Sequence, residues 1–446
     1  MKKYDVVIVG GGPAGVQAAI SARNTSPDKS IVLIRKESAA LIPCGIPYIL
    51  HSLNSVDDDI MPDGILKNNN IDLVLGEVIN RDAKVIELKD GQQIEFDKLV
   101  LAAGSYPFKP PIPGIDNKNI FILSKDYEHL VEMRKAAKSA KRVLIVGGGY
   151  VGVELADELS KDKKSVVIVE LMPSLLPTSV DPEFSEIIKN ELEKQEVKII
   201  TGCGIKAFSQ NGSSINVELD NSETIETDIA IVSIGFKPNI SLAEKFGLKV
   251  DKKFGVIVDE YLKTSDNDVF AVGDCAAKRS CYTCDYRQIM LASTAMSQGR
   301  LAGSNLFSIH VVKTFTGTLG SFATKIGNVA LGVTGLTGTR AKKMGLEYVV
   351  GVAESVDRHP GKLPNASKVT VKLIYAKYSH VLLGAQVLGG DSVGECANML
   401  SVMIQKKMTD MEIDTLQIGT HPLLTSSPLA YAVINATVDA IMKWYR

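Results

Sequence analysis

One segment of this chain occurs twice. Ile8-Val9-Gly10-Gly11-Gly12 returns as Ile145-Val146-Gly147-Gly148-Gly149, and the register continues through Gly15 and Gly152, Val16 and Val153, and Ala19 and Ala156. In each copy a short apolar run (Val6–Val9, Val143–Val146) leads into G-x-G-x-x-G, then an Ala-rich stretch with helical character, then a second apolar run (Ile31–Ile34, Val166–Val169). That order of strand, glycine turn, helix and strand is the context in which the motif signals dinucleotide binding. The first glycine makes the tight turn, the second lets a pyrophosphate approach the backbone, and the third lets helix and strand pack closely. The helix N-terminus then faces the anion with free N–H groups.

The two copies differ as they should if they hold different ligands. After the second turn the strand ends at Glu170, placed to accept hydrogen bonds from a ribose diol and to repel a 2′-phosphate. Leu171 and Met172 follow it and supply no Arg for such a phosphate, so this site should prefer NADH to NADPH. At the matching position of the first copy stands Arg35, followed by Lys36 and Glu37, and which of these groups meets the first ribose stays open. Two further apolar runs close on glycine, Leu99–Gly104 with Ala103 before it, and Ile231–Gly235. A third, Val269–Asp274, delivers a carboxylate at its end.

The remainder of the chain changes character. Gly327–Thr334, Tyr348–Ala353, Val369–Tyr375 and Val381–Leu388 read as strands with hairpin-like spacing. Ser392–Lys407 carries Val393, Ala397, Leu400 and Ile404 at helical intervals. The expected fold is therefore α/β, with two Rossmann-like nucleotide-binding domains and a C-terminal α+β domain. Its 446 residues exceed what one hydrophobic core organises. Fifty Lys plus Arg against fifty-one Asp plus Glu leave a formal charge of −1, so no basic excess points to nucleic acid or an anionic membrane. No apolar run reaches the roughly 18 residues a membrane span needs, and no export signal is expected, which points to a cytoplasmic protein.

With these motifs in hand, the chain resembles the FAD- and pyridine-nucleotide-dependent disulfide oxidoreductases along its full length. The resemblance implies an FAD domain over 1–115 and 245–315, an NAD(H) domain over 116–244 and a dimerisation domain over 320–446. It implies FAD contacts from Gly10, Gly12, Pro13, Ala14, Gly15, Arg35, Lys36, Glu37, Ala103 and Gly104. Asp274 would hold the FAD ribitol, and the helix beginning near Ala292 would aim its N-terminus at the flavin. Gly147, Gly149, Tyr150, Val151, Glu154, Glu170 and Gly235 would form the NAD site, with Tyr150 covering the flavin until nicotinamide arrives. The family is usually a homodimer in which the partner's C-terminal domain completes each active site.

Leu41-Ile42-Pro43-Cys44-Gly45-Ile46-Pro47-Tyr48 resembles the single-cysteine branch, which holds coenzyme A disulfide reductases, NADH oxidases and NADH-dependent sulfur reductases. The next cysteine in sequence is Cys203, so redox chemistry at Cys44 must pass through a mixed disulfide, sulfenic acid or persulfide. Pro13-Ala14 replaces the histidine that peroxidases of this branch carry. Thr420-His421-Pro422 replaces a tyrosine-proline-proline segment of the coenzyme A enzymes, and makes His421 a candidate proton donor across the dimer. The expected reaction takes hydride from NADH through FAD to Cys44, and from there to a disulfide, coenzyme A disulfide, polysulfide or sulfur acceptor. Two alternatives stand beside it: oxygen reduction at the flavin, and electron transfer to a small redox protein. Arg23 and Lys67 are candidate contacts for coenzyme A phosphates. Cys281 and Cys284 form a C-x-x-C that reads as loop thiols, a redox pair or half of a metal site; no complete metal site is expected. Cys203 and Cys396 read as structural.

Overall fold

The computed structural model describes residues 1–313 and 317–445. It divides into two compact units, each made of three separate stretches of chain: 1–110, 121–139 and 234–318 in the first, 111–120, 140–233 and 319–446 in the second.

In the first unit the apolar run at the N-terminus becomes the strand Lys2–Val9. It lies in the middle of a parallel sheet between Ile31–Arg35 and Gln93–Leu101. Asp72–Leu75 flanks Ile31–Arg35, and Val269–Ala271 adds in parallel beside Gln93–Leu101. Two antiparallel strands, Val78–Asp82 and Val85–Leu88, extend the sheet. The central strands Lys2–Val9, Ile31–Arg35 and Val269–Ala271 are apolar at consecutive positions because both faces are covered. Val6, Ile8, Ile31, Leu33 and Phe270 point to a layer containing Ala18, Ala22 and Ala302 of two helices. Val7, Val9, Val32, Ile34 and Val269 point to the opposite layer, with Phe96, Ala243 and Leu248.

The two helices, Pro13–Thr25 and Ala292–Ser304, meet along a line of small residues. A Cβ on Gly299 would come 2.5 Å from the Ala14 carbonyl oxygen, and one on Gly303 2.2 Å from that of Ala18. Only glycine permits this approach.

The second unit repeats the parallel order, with Lys198–Thr201, Ser165–Glu170, Arg142–Val146 and Ile229–Val232 side by side. Its last stretch forms a five-stranded antiparallel sheet ordered Phe322–Ile326, Val329–Gly335, Leu382–Gly389, Lys368–Ala376, Tyr348–Val356. The four strands expected in the C-terminal region are found with small boundary changes; the first starts at Val329, because Gly327 has φ +55° and begins a turn. Phe322–Ile326 is an additional strand before it. The helix Val393–Gln405 buries Val393, Ala397, Leu400 and Ile404 as its spacing predicts. Among the described residues, no helix is long and apolar enough to cross a membrane.

Candidate functional site

The two glycine turns are built alike. Gly10 and Gly147 have φ +119° and +105°, a region that favours glycine. A Cβ on Gly15 or Gly152 would lie 2.0 Å from the carbonyl oxygen of Gly10 or Gly147, so helix and turn touch backbone to backbone. Gly12 and Gly149 are different, since a Cβ on either would meet nothing within 4 Å. Each caps a helix, Pro13–Thr25 or Tyr150–Ser160, without any side chain accepting from the first turn. The turns therefore combine an open approach to backbone with the positive end of a helix, which suits a pyrophosphate.

In the first unit the strand end carrying Asp274 joins the first turn. A Cβ on Gly273 would lie 2.8 Å from the Ala14 Cβ and 3.7 Å from that of Ala295. The Asp274 carboxylate accepts from Ser105 Oγ and from Lys125 Nζ, both at 2.8 Å. Burial opposes its charge, but Lys125 and Lys278 outweigh burial and hold the carboxyl below its usual range. Lys278 itself is buried, donates to the Gly273 and Ala276 carbonyls, and is pulled down by burial. The helix expected after Asp274 begins at Ala292, with no side-chain cap at Leu291. Ala103 and Gly104 are tied to Asn239, whose amide N–H donates to the Gly104 carbonyl and whose side chain donates to that of Ala103. Gly235 lies in the same unit and accepts from the Phe108 amide.

Arg35 lies across the first turn, its stem so close that a Cβ on Gly11 would come 2.6 Å from Arg35 Cδ. Its guanidinium is engaged by Asp63 and by the carbonyls of Glu37 and Ser38, while Lys36 is exposed. Arg23 departs from the expectation of a phosphate ligand. Its guanidinium donates to four carbonyls, those of Asn69, Pro27, Lys29 and Asn70, and so clamps the end of its helix. Lys67 is exposed in the last turn of Gly64–Asn68.

Cys44 is exposed, in a turn just before the short helix Ile46–Leu50. Arg134, on the helix Tyr127–Ser139, anchors this short helix and the loop after it by donating to the carbonyls of Ile49, Leu53 and Asn54. Cys281 is partly buried and Cys284 exposed in a loop of the same unit.

In the second unit Tyr150 opens the helix after the second turn, its ring 5.7 Å from that of Phe322. One helical turn on, Glu154 accepts from Thr324 Oγ1 at 2.7 Å. Burial pushes its carboxyl up to about 7; the Thr324 hydrogen bond opposes this, and Asp157 and Glu158 add to it. Val151 lies between, partly exposed. The Glu170 carboxylate closes the turn from below, accepting from the Gly148 and Met172 amides at 2.6 and 2.7 Å.

His421 is exposed in a loop stapled by His359, which donates its amide to the Pro422 carbonyl and has Nδ1 3.0 Å from the Thr425 carbonyl oxygen. The Leu423 amide donates to His421 Nδ1 at 3.2 Å. Neutral His421 accordingly carries its proton on Nε2. Cys203 is buried, and burial raises the Cys396 thiol to about 12, consistent with structural thiols.

A doubled Rossmann-like turn with an antiparallel C-terminal sheet defines a class of proteins that handle dinucleotides. Residues 4–299 match the pyridine nucleotide-disulphide oxidoreductase family and residues 322–430 its dimerisation domain. An NADH oxidase of Methanocaldococcus jannaschii is 32% identical over 444 residues, covering 96% of this chain and 98% of its own length. The NAD(P)H coenzyme A polysulfide/persulfide reductase of Pyrococcus horikoshii is 30% identical, over 87% of this chain and 88% of its own. Among solved structures, a NAD-dependent persulfide reductase from A. fulgidus superposes with a TM-score of 0.90 at 28% identity, covering 98% of this chain and 83% of that one. The chain belongs to the pyridine nucleotide-disulphide oxidoreductases. It is a flavoprotein enzyme that uses FAD and a nicotinamide nucleotide.

Proposed function

We propose that the protein takes electrons from NADH and, through FAD and Cys44, reduces a small sulfur acceptor: a disulfide, a coenzyme A disulfide or persulfide, or polysulfide. The observation that carries this reading is Cys44 itself, exposed on a turn outside any helix, with Cys203 the next cysteine in sequence and buried. The first turn, Gly10 to Gly15, would hold the FAD pyrophosphate with Pro13 and Ala14 at the helix start. The Asp274 carboxylate would hold the ribitol hydroxyls, and the helix that begins at Ala292 would turn its uncapped N-terminus toward the flavin ring. Gly147, Gly149 and Val151 would hold the nicotinamide nucleotide, with Tyr150 and Glu154 beside its reactive end. A buried carboxylate at Glu170 accepts ribose hydroxyls and repels a 2′-phosphate, which favours NADH.

FAD, when bound, supplies two-electron redox chemistry. The chain's own part begins with the Cys44 thiolate, which attacks one sulfur of the acceptor, forms a mixed disulfide and releases the other sulfur as a thiolate or sulfide. Two-electron reduction of that adduct breaks its S–S bond, releases the bound sulfur as a second thiolate or as sulfide, and restores the Cys44 thiolate. His421, carrying its proton on Nε2, would protonate the leaving sulfur of the partner subunit in a homodimer. Coenzyme A, if it is the carrier, must find its phosphate contacts at Lys67 or elsewhere, because Arg23 is committed to backbone carbonyls.

Cys44→Ser tests the assignment. The variant should keep FAD and its reduction by NADH, with NADPH much the poorer donor, and lose more than about 99% of disulfide or polysulfide turnover. Wild-type turnover in the variant sinks the reading. A second reading, NADH oxidation by oxygen at the flavin, is favoured by the name of the Methanocaldococcus relative. Peroxide-forming oxygen uptake that survives Cys44→Ser at the wild-type rate would support it.

A further inference from the structure

The turn that presents Cys44 is built over a carboxyl group. The Ile42 amide donates to the Asp59 carbonyl at 2.9 Å and the Met61 amide to the Ala40 carbonyl at 2.8 Å, so the two stretches run antiparallel. The chain then reverses through a Gly45 amide to Ile42 carbonyl bond of 2.8 Å. The Asp59 side chain fills the hollow of this reversal, where a Cβ on Gly45 would come 1.8 Å from Asp59 Oδ1. Asp59 is 2% exposed. Its Oδ2 has no hydrogen-bond partner among the described residues.

Neighbouring charges do not account for this group. Asp57 takes the Tyr127 hydroxyl at 2.6 Å, Asp58 accepts the amides of Asn54 and Ser55, and Asp63 pairs with Arg35. Arg134 is directed at carbonyls, and Tyr48 and His51 are the other titratable side chains on the segment after Cys44. Burial alone pushes the Asp59 carboxyl up to about 6. A buried carboxylate without partners is costly as an anion and far less so as an acid.

We propose that Asp59 is a positioning residue for Cys44 that balances its charge, holding a proton while Cys44 is a thiolate and releasing it while Cys44 is in a neutral disulfide or persulfide adduct. When the Cys44 thiolate forms its bond to one sulfur of the acceptor, the acceptor's S–S bond breaks and the negative charge leaves with the departing sulfur. Asp59 then gives up its proton to the medium, where it offsets protonation of the departing thiolate. When two electrons from the nicotinamide nucleotide cleave the S–S bond of the adduct, the bound sulfur leaves as a second thiolate or as sulfide and takes a proton from the medium, the Cys44 thiolate returns, and Asp59 takes a proton back. Chain geometry through Gly45 keeps the Cys44 sulfur within about 10 Å of the carboxyl. At an effective dielectric of about 20, each charge then moves the other's pKa by about one unit. Such coupling is reciprocal.

The inference rests on Cys44 being the redox thiol, but its test reads proton equilibria and not turnover. The holoenzyme is reduced with dithiothreitol, freed of it under nitrogen and alkylated with iodoacetamide across pH, with label at Cys44 quantified by peptide mass spectrometry. In Asp59→Asn the Cys44 inflection should stay at about the wild-type value, because an Asp59 that keeps its proton puts no charge beside the forming thiolate. A fall of about one unit would mean that Asp59 is ionised while Cys44 titrates. As a measurement that leaves Asp59 in place, the infrared carbonyl band of its protonated form should titrate about one unit lower in Cys44→Ser than in the reduced wild type, a shift that a merely structural Asp59 would not show. An inflection lower by about one unit in Asp59→Asn, or identical band titrations in wild type and Cys44→Ser, overturns the proposal.

Discussion

Gly12 and Gly15 stand three residues apart in one turn, yet substitution should act on them in opposite ways. A methyl on Gly15 would drive into the Gly10 carbonyl oxygen at 2.0 Å, backbone against backbone with nothing flexible to yield. Gly15→Ala should therefore lose roughly 3 kcal/mol or more and fail to show a cooperative thermal transition. A methyl on Gly12 meets open space within the protein, so Gly12→Ala should melt close to the wild-type apoprotein. It should nevertheless bind flavin about tenfold or more weakly, as read from the flavin-to-protein absorbance ratio after dialysis. Equal melting of the two apoproteins would refute this division of labour. Both roles are legible in the sequence because the motif's spacing encodes local backbone geometry. The partners of the cofactor-site candidates are not. Lys125 reaches Asp274 across 149 residues and Thr324 reaches Glu154 across 170. No local pattern carries such a pairing; Asp59 under Gly45 likewise carries no motif, and as the last of three consecutive aspartates it has nothing local that marks it as the buried one.

At the scale of elements, the helix Pro182–Lys194 is joined to the C-terminal sheet by the acid that precedes it. Asp181, 1% exposed, accepts from the amides of Gly338 and Thr339, the Thr339 hydroxyl, the Gln386 amide group and Lys372. Burial opposes its ionisation, but Lys372 and the Thr339 and Gln386 donors prevail and lower the carboxyl to about 2. Because the folded value lies below the unfolded one, this stabilisation is fully present above about pH 4 and disappears as pH falls toward 2. It amounts to about 2 kcal/mol. Asp181→Ala should cost about 3 kcal/mol at pH 7, since it also strands buried donors. Urea melts at pH 7 and pH 3 should show the variant's deficit shrinking at the lower pH; a deficit independent of pH contradicts the argument. The C-terminal strands themselves were readable from alternating apolar runs. The Phe322–Ile326 strand was not, because its pattern, Phe-Ala-Thr-Lys-Ile, holds only two large apolar residues and buries the polar Thr324, while Ala323 and Lys325 stay exposed on the other face.

At the scale of the whole molecule, the His421 loop carries large apolar side chains into solvent, with Leu424 66% and Leu429 89% exposed. Exposed apolar groups of this size beside a candidate catalytic residue suit a surface covered by a second copy. Light scattering on the purified holoenzyme should give about twice the 48.0 kDa chain mass, and Leu429→Asp should shift the population toward monomer; a monomeric wild type would remove His421 from the proposed chemistry. The order in which the chain is made adds a separate demand. Val269–Ala271 pairs with Gln93–Leu101, yet it leaves the ribosome about 170 residues later. At about 5–20 residues per second Leu99–Leu101, the end of that edge beyond its pairing with Val85–Leu88, waits roughly 10–30 s for its neighbour. An open apolar edge is a template for pairing with another nascent chain, so the parallel sheet that cradles the first glycine turn is also a place where newly synthesised copies of this protein are exposed to misassembly.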